Sequence, residues 1–273
     1  MKVPFLDLKI KNKNYKKILL QNFNKILSHG QIIEGPELKI FEKKMSQYLK
    51  NKYVVGLSSG SSALYLSLKA LNINKGDEVI TTPFTWIITI NAILEVGATP
   101  VFVDIKDDFN IDPKKINSRI SKKTKAIIPM HVGGHMCEME EIRKIAKINK
   151  LFVVEDAAQA TASVLNNKKA GFYSDVAAFS ANPMKMLNGF GESGFVSTSN
   201  LSFKNKILSL RHAGTKKDKK KIDINNCYYN SLNHKMDTLQ ASFLTTNLNR
   251  LEEKRRKRDK IASIYDDELE NYI

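Results

Sequence analysis

The fold is decided at residues 53–64, which read YVVGLSSGSSAL. The apolar run from Tyr53 to Leu57 predicts a short buried strand, and the serines around Gly60 predict a turn. A helix is predicted over 63–71. The first turn of a helix presents unpaired backbone N–H groups and a partial positive charge, so Gly60 and Ser61 are candidates for binding a phosphate. A plain strand–helix turn with a serine N-cap explains the same residues equally well.

The same alternation of strand and helix continues along the chain. Further short apolar runs predict strands over 78–81, 101–104, 126–130, 152–155, 177–180 and 194–197. Amphipathic helices are predicted to begin near residue 15 and at Pro36, which suits a first helical turn. Residues 204–210, 236–251 and 252–273 also follow helical patterns. The pattern predicts an α/β fold whose mostly parallel, seven-stranded sheet is covered by helices on both faces.

Composition limits the classes of function. The 273 residues carry a net charge of +16, which raises the hypothesis of nucleic-acid binding. The lysines are spread over the whole chain rather than gathered in one basic and aromatic patch, and the densest run, 216–221, is predicted to be a solvated loop. No apolar run is long enough to predict a membrane span, and the N-terminus lacks the apolar core of a signal peptide. We therefore expect a cytoplasmic protein that binds neither nucleic acid nor membrane, and the two cysteines match no metal site.

Candidate functional residues follow the predicted strands, because ligands of parallel α/β sheets bind at the carboxyl ends of the strands. Residues 152–159, FVVEDAAQ, deliver Asp156 at such an end, where its carboxylate either contacts a ligand or caps a helix. The sole tryptophan, Trp86, follows the strand 78–81, where it either stacks on a planar ring or serves as a core aromatic.

A single lysine follows the strand 177–180, in the segment FSANPMKMLNGFGESG at 179–194. Lys185 lies there among apolar and small residues, in a setting that suits a nucleophilic amine able to form a Schiff base. The glycines after it indicate a tight pocket lined by backbone. In a chain so rich in lysine, an ordinary surface lysine is the alternative.

Taken in order, these segments resemble the DegT/DnrJ/StrS-type family of nucleotide-sugar aminotransferases. The resemblance covers nearly the whole chain and rests on several motifs. They are 3–7 (VPFLD), 33–37 (IEGPE), 56–64 (GLSSGSSAL), 76–80 (GDEVI), 155–159 (EDAAQ), Phe179-Ser180 with Lys185, and 233–236 (NHKM) with 239–241 (LQA).

The resemblance implies the large domain of the fold type I enzymes that use pyridoxal 5′-phosphate (PLP). It implies that Lys185 forms a Schiff base with PLP and later moves a proton, and that Asp156 pairs with the pyridinium nitrogen. The other residues implied to bind the cofactor are Gly60, Ser61 and Ser180 at the phosphate, Trp86 on the ring face, and Gln159 near the phenolic oxygen. Asn233 and Lys235 would come from a neighbouring subunit, which implies a homodimer.

The implied reaction moves an amino group from glutamate or glutamine to a keto group of a nucleotide-linked sugar. Members of the family with dehydratase activity carry histidine at the position of Lys185, which favours transamination here. Lys235 stands where arginine is usual, which weakens a bidentate phosphate contact.

Length is the main departure from the family pattern. We predict a PLP-binding domain over 1–240 and a long helix over 241–273 that leads into a C-terminal domain largely absent from this chain. A truncated, inactive or accessory homologue is therefore the alternative function, together with another PLP-dependent sugar reaction such as dehydration.

Overall fold

The computed structural model describes residues 4–218 and 221–272. The helices are α1 (Lys13–His29), α2 (Pro36–Leu49), α3 (Gly60–Ala70), α4 (Ile87–Glu95), α5 (Pro113–Ile116), α6 (Met139–Ile148), α7 (Leu201–Arg211), α8 (Thr238–Leu248) and α9 (Leu251–Leu269). The strands are β1 (Tyr53–Leu57), β2 (Glu78–Thr81), β3 (Thr99–Phe102), β4 (Thr124–Ile127), β5 (Phe152–Asp156), β6 (Val164–Leu165), β7 (Lys168–Lys169), β8 (Val176–Ser180), β9 (Gly194–Thr198), β10 (Thr215–Asp218) and β11 (Lys221–Cys227). Short 3-10 helices occupy Asn117–Arg119, Val132–Gly134 and Glu270–Tyr272.

Seven strands form one sheet in the order β1-β9-β8-β5-β4-β2-β3. Five neighbouring strands, from β3 across to β8, run parallel, whereas β9 is antiparallel to both β8 and β1. The prediction of a mostly parallel seven-stranded sheet is thus confirmed. Strands β3 and β4 begin and end earlier than the predicted ranges 101–104 and 126–130. Strand β4 ends before Pro129, because proline lacks the N–H needed to extend the ladder.

Successive residues of the central strands pack into different cores, because strand side chains alternate between the two faces of a sheet. On one face, Val153 and Phe179 pack with residues of α2, α6 and α8. On the other face, Val154 and Ala178 pack with residues of α3, α4 and α7. A sheet buried on both faces explains why its strands read as continuous apolar runs.

Helix α2 has the predicted buried stripe. Pro36 occupies the first helical turn, and Leu38, Phe41, Met45 and Leu49 are all buried. These residues recur at helical spacing, so one face of the helix is apolar. That face lies against the core beside β1, as the sequence pattern predicts.

The lysine-rich run at 216–221 differs from its prediction as a loop. Strands β10 and β11 pair antiparallel across it, and Lys217 lies opposite Ile222. Residues 219 and 220 lie outside the described residues. Ile222 and Ile224 alternate with polar residues, a period-2 pattern typical of a strand, which the lysine content obscured.

The two C-terminal helices differ in burial, since α8 is buried along its length and α9 only at its first residue. Helix α8 crosses the predicted boundary between residues 240 and 241, and its residues Ala241 and Leu244 are buried in the core. In α9, by contrast, only Leu251 is buried, and the apolar residues Ile261 and Ile264 are exposed. The division into a domain over 1–240 and a helical segment over 241–273 stays a prediction.

The buried side chain of Arg211, at the end of α7, forms hydrogen bonds with α2 and β1. The Arg211 guanidinium donates to Glu42 at 2.9 Å, to Glu34 at 3.0 Å and to the Gly56 carbonyl at 3.2 Å. Burial raises the pKa of Glu42, and the positive charge of Arg211 opposes that rise. The guanidinium therefore compensates carboxylates that would otherwise be poorly solvated.

We expect Arg211→Ala to lower the free energy of unfolding by about 3–5 kcal/mol, because it removes the cation that compensates the largely buried Glu42 carboxylate. Urea denaturation followed by circular dichroism measures the change. Arg255→Ala is the matched control, since its ion pairs with Glu252 and Asp259 lie at the surface of α9 and such pairs contribute about 0–1 kcal/mol. Equal losses in the two variants would contradict a special role for Arg211.

Candidate active site

The residues at the start of α3 pack tightly against the ends of two strands. Ser59 caps the helix by accepting a hydrogen bond from the Ser62 N–H at 3.0 Å, so α3 begins at Gly60, earlier than predicted. A Cβ on Gly60 would lie 2.8 Å from the Ser180 Cβ, and one on Gly194 would lie 2.4 Å from the Ser59 carbonyl. Only glycine can occupy positions 60 and 194, because a Cβ at either would clash with the neighbouring backbone or side chain. The predicted phosphate-binding residues Gly60 and Ser180 therefore lie side by side.

The first turn of α3 keeps donors available at this junction. Its N-terminal N–H groups have no partner within the helix, apart from the one bonded to the Ser59 cap. The Ser61 side chain is exposed beside them. The serine N-cap and the anion-binding turn, which the sequence left as alternatives, are therefore compatible features of one structure.

Asp156 ends β5 as a buried carboxylate rather than as a helix cap. Its Oδ2 accepts a hydrogen bond from the Thr89 hydroxyl at 2.7 Å, and its Oδ1 accepts one from the Ala158 N–H at 3.2 Å. Burial raises the pKa of Asp156, while these hydrogen bonds and the positive charge of Lys185 oppose the rise. Lys185, 29 positions further along the sequence, thus contributes only a small part of the effect that opposes the rise in the pKa of Asp156.

Trp86 is the N-cap residue of α4, with its side chain 71% exposed. The interpretation as a core aromatic is therefore wrong, and stacking on a planar ligand stays a prediction. The first turn of the same helix carries Thr89, which contacts Asp156. Sequence analysis missed Thr89, because its role depends on a contact with a residue 67 positions away.

The loop that carries Lys185 is held by α8 and α9. Lys185 is half-buried, and its backbone N–H donates to the Asn182 carbonyl at 2.9 Å. The Gln240 amide oxygen accepts from the Phe190 N–H at 2.9 Å, and the Lys254 ammonium donates to the Asn188 side chain at 2.6 Å.

Asn247 on α8 also donates to the backbone of this loop, at the carbonyl of Asn188. Sequence analysis assigned no role to Gln240, Asn247 or Lys254, because they lie 50 or more positions beyond their partners in the loop. Helices α8 and α9 therefore help to build the candidate active site.

The lowered pKa of Lys254 predicts that the stability of the protein depends on pH. Burial, followed by the charges of Arg250 and Arg258, lowers the pKa of Lys254 to about 8. Between that value and the ordinary lysine pKa of about 10.4, the unfolded chain binds more protons than the folded one, so this group makes stability rise with pH. We expect the free energy of unfolding of the wild type to increase relative to that of Lys254→Met as pH rises from 8 to about 10.

Urea denaturation at several pH values measures this difference. The matched control is Lys257→Met on the same helix, since Lys257 pairs with Glu253 at the surface. Its unfolding free energy should run parallel to that of the wild type across the same range. A constant difference between wild type and Lys254→Met would contradict the prediction.

Gln159 and a buried histidine flank the end of β5. The exposed Gln159 side chain accepts from the Gly133 N–H at 2.7 Å through its amide oxygen, which leaves its NH₂ as a donor. His131 accepts from the Cys137 N–H at one ring nitrogen and contacts Glu155 at the other, 3.1 Å away. That pattern fixes the tautomer and makes His131 a structural residue next to Asp156.

Asn233 and Lys235 flank a residue that contacts the start of α3. The carbonyl of His234 accepts from the Ser58 N–H at 2.9 Å, and its ring contacts the Ser62 hydroxyl at 2.9 Å. Asn233 is exposed, and its side chain accepts from the Lys235 N–H at 3.2 Å. The segment thus lies near the predicted phosphate-binding turn, whereas a contact to a neighbouring subunit stays a prediction.

Metal-binding clusters and membrane-spanning helices are both absent from the described ranges, 4–218 and 221–272. No cluster of three or more His, Cys, Asp or Glu side chains there is arranged to hold a metal ion. No helix within those ranges is long and apolar enough to cross a membrane.

The architecture defines the class of protein. The chain superimposes on a Streptomyces venezuelae DesV structure, described as a complex with a ketimine intermediate, with a TM-score of 0.92 at 34% identity, covering 98% of this chain and 71% of DesV. It also superimposes on NtdA from Bacillus subtilis with bound cofactor PMP, with a TM-score of 0.90 at 34% identity, covering 99% and 62%. These matches confirm the predicted fold class of the PLP-dependent aminotransferases.

The particular family follows from the sequence match. The model of the DegT/DnrJ/EryC1/StrS aminotransferase family matches residues 13–272, so the chain belongs to that family. It is 37% identical over 270 residues to the dTDP-3-amino-3,6-dideoxy-alpha-D-galactopyranose transaminase of Aneurinibacillus thermoaerophilus, covering 98% of this chain and 73% of the relative. Across the curated relatives the chain spans from 54% to 73% of their lengths.

Proposed function

We propose that this chain is a PLP-dependent transaminase that moves an amino group from glutamate or glutamine to a keto group of a nucleotide-linked sugar. The observation that carries the proposal is the buried carboxylate of Asp156 at the carboxyl end of β5, held by hydrogen bonds from Thr89 and Ala158. Membership of an aminotransferase family, with a relative named as a transaminase of a dTDP-linked sugar, supports the substrate class.

The residues at this edge fit PLP. Asp156 offers a carboxylate that is largely shielded from water and keeps acceptor capacity beyond its two hydrogen bonds. Gly60 packs against Ser180 without a Cβ between them, which gives a phosphate access to the N–H groups that begin α3. When bound, PLP supplies an electron sink for the carbanion that forms as the amino group is transferred.

The proposed roles divide between binding and proton transfer. Gly60, Ser61 and Ser180 would donate hydrogen bonds to the phosphate of PLP. Lys185 would hold the cofactor covalently through Nζ and then accept and return the proton that moves during transfer. Asp156 would keep the ring nitrogen protonated by offering it a negative charge.

Four further residues would complete the site, two from this chain and two from a neighbouring subunit. The exposed indole of Trp86 would cover one face of the ring, which is favourable for an aromatic ligand. The free amide NH₂ of Gln159 would donate to the phenolic oxygen. Asn233 and Lys235 would bind the phosphate in the other subunit of a homodimer. A cytoplasmic location stays a prediction from the sequence.

Reductive trapping tests the cofactor site. The purified chain is incubated with PLP, reduced with borohydride, digested and mapped by mass spectrometry. We expect a single modified peptide that carries the adduct on Lys185. A folded protein that gives no adduct, or only adducts scattered over exposed lysines, would contradict the proposal.

A second experiment tests the reaction. The PLP-loaded protein is mixed with glutamate, glutamine or aspartate, and loss of its visible absorbance is followed in a spectrophotometer. We expect loss with glutamate or glutamine, and recovery on addition of a dTDP-linked keto-sugar. Recovery with a simple 2-keto acid but not with the keto-sugar would contradict the substrate class.

A further inference from the structure

Two threonine hydroxyl groups, Thr85 just before α4 and Thr89 in its first turn, lead to the Asp156 carboxylate. The Thr89 hydroxyl lies 2.7 Å from Asp156 Oδ2 and 2.8 Å from the Thr85 hydroxyl. An ionised carboxylate only accepts hydrogen bonds, so Thr89 donates to Asp156 and Thr85 must donate to Thr89. Thr89 is 1% exposed and Asp156 is 3% exposed, so water does not substitute readily for this donor.

The same turn of helix carries Trp86. The Thr89 N–H donates to the Trp86 carbonyl at 3.0 Å, and Trp86 is the N-cap of α4. One helical turn therefore joins the indole proposed to cover the cofactor ring to the hydroxyl that contacts Asp156. The N-terminal end of α4 also favours a nearby negative charge, because a helix carries a partial positive charge there.

We propose that Thr89 is a positioning residue that orients the Asp156 carboxylate and keeps it ionised for the ring nitrogen of PLP. The inference rests on the proposed function, in which Asp156 pairs with that nitrogen. Oδ2 has two lone pairs, so the bond from Thr89 fixes the carboxylate plane and leaves acceptor capacity for the cofactor. The hydroxyl offsets the cost of holding a buried charge.

Replacing the hydroxyl separates this role from packing. Thr89→Val keeps the branched shape but removes the donor, so the buried carboxylate should favour its protonated form and bind the ring nitrogen less well. We expect PLP to bind apo-protein about tenfold or more weakly, as for loss of one hydrogen bond to a charged group. Thr89→Ser keeps the donor and should restore binding to within about threefold of wild type.

A second readout reports on the ring nitrogen itself. The visible absorbance of PLP bound to Lys185 is titrated with pH in wild type and variants. A protonated ring nitrogen withdraws electrons and makes the Lys185 Nζ that is bonded to PLP less basic. Thr89→Val should therefore move the midpoint of this titration upward by about one pH unit, whereas Thr89→Ser should not.

Thr245→Val is the matched control, because the Thr245 hydroxyl donates to the Ala241 carbonyl within its own helix, α8. It should leave both the PLP affinity and the titration midpoint at their wild-type values. If Thr89→Val does not fold, Thr85→Val is decisive, and it should shift both readouts in the same direction by a smaller factor.

The outcomes separate the two proposals. Wild-type protein that binds PLP, combined with Thr89 variants whose affinity and midpoint match those of Thr245→Val, would overturn the role of Thr89 alone. Wild-type protein that is folded yet binds no PLP would overturn the proposed function and the role of Thr89 with it.

Discussion

Lys185→Ala is expected to abolish covalent retention of PLP and to lower the transamination rate by at least about 10³-fold. The substitution removes both the nucleophile that holds the cofactor and the group that carries the proton, and proton transfer alone contributes about 10²–10⁴-fold. Borohydride trapping with mass spectrometry measures retention, and absorbance changes with glutamate measure the rate.

The control for this variant is Lys144→Ala, because the Lys144 side chain is 69% exposed on α6 and pairs only loosely with Glu141 at 3.8 Å. It should retain the cofactor and the wild-type rate. Thermal unfolding should show that Lys185→Ala is folded, since Lys185 is half-buried in a loop fixed mainly by other residues. A Lys185→Ala protein that still gives a reduced adduct would show that another lysine holds PLP.

Asp156→Asn is expected to lower the rate by about 10²–10³-fold, the range seen when one electrostatic contact that stabilises a developing charge is lost. Asparagine keeps the shape and an oxygen that can still accept from Thr89, but it carries no charge to hold a proton on the ring nitrogen. Steady-state kinetics with glutamate measures kcat and KM. The decrease should fall mainly on kcat, because the proton that Asp156 would hold on the ring nitrogen stabilises negative charge that is greatest in the transition state.

Asp175→Asn is a matched control, because Asp175 precedes β8 at the amino end of the strands, away from the candidate site. The Asp175 carboxylate pairs with Arg143 at 2.9 Å and accepts from the Val153 N–H at 2.8 Å, so it acts on the fold rather than on a cofactor. It should reduce stability and leave the pH dependence of the bound cofactor unchanged. Asp156→Asn with wild-type kcat would contradict pairing with the ring nitrogen.

The course of the sheet could be predicted because its signals are local. Tyr53 to Leu57 and Phe152 to Asp156 are short apolar runs, and such runs form buried strands wherever both faces of a sheet are covered. The α2 stripe of Leu38, Phe41 and Met45 likewise follows from helical spacing alone. Strand ends were less certain, because they depend on partners in the neighbouring strand.

Most residues of the candidate site could be predicted from the residue types at the carboxyl ends of these strands. Gly60, Asp156 and Lys185 could be named because the edge of a parallel sheet gathers the loops that follow its strands. The residues that support them could not be named. Thr89, Gln240 and Lys254 are ordinary polar residues of helices, and nothing local distinguishes them from solvent-facing neighbours.

By itself, then, the sequence determined the α/β class, the parallel core of the sheet, the family resemblance and the residues proposed for chemistry. Only the tertiary structure decided that β9 runs antiparallel, that Trp86 is exposed, and that Thr89 donates to Asp156. The physical reason is the sequence distance over which each kind of interaction acts. Periodicity and turn signals act over a few residues, whereas the contacts that orient Asp156 and fix the Lys185 loop join segments 50 or more positions apart.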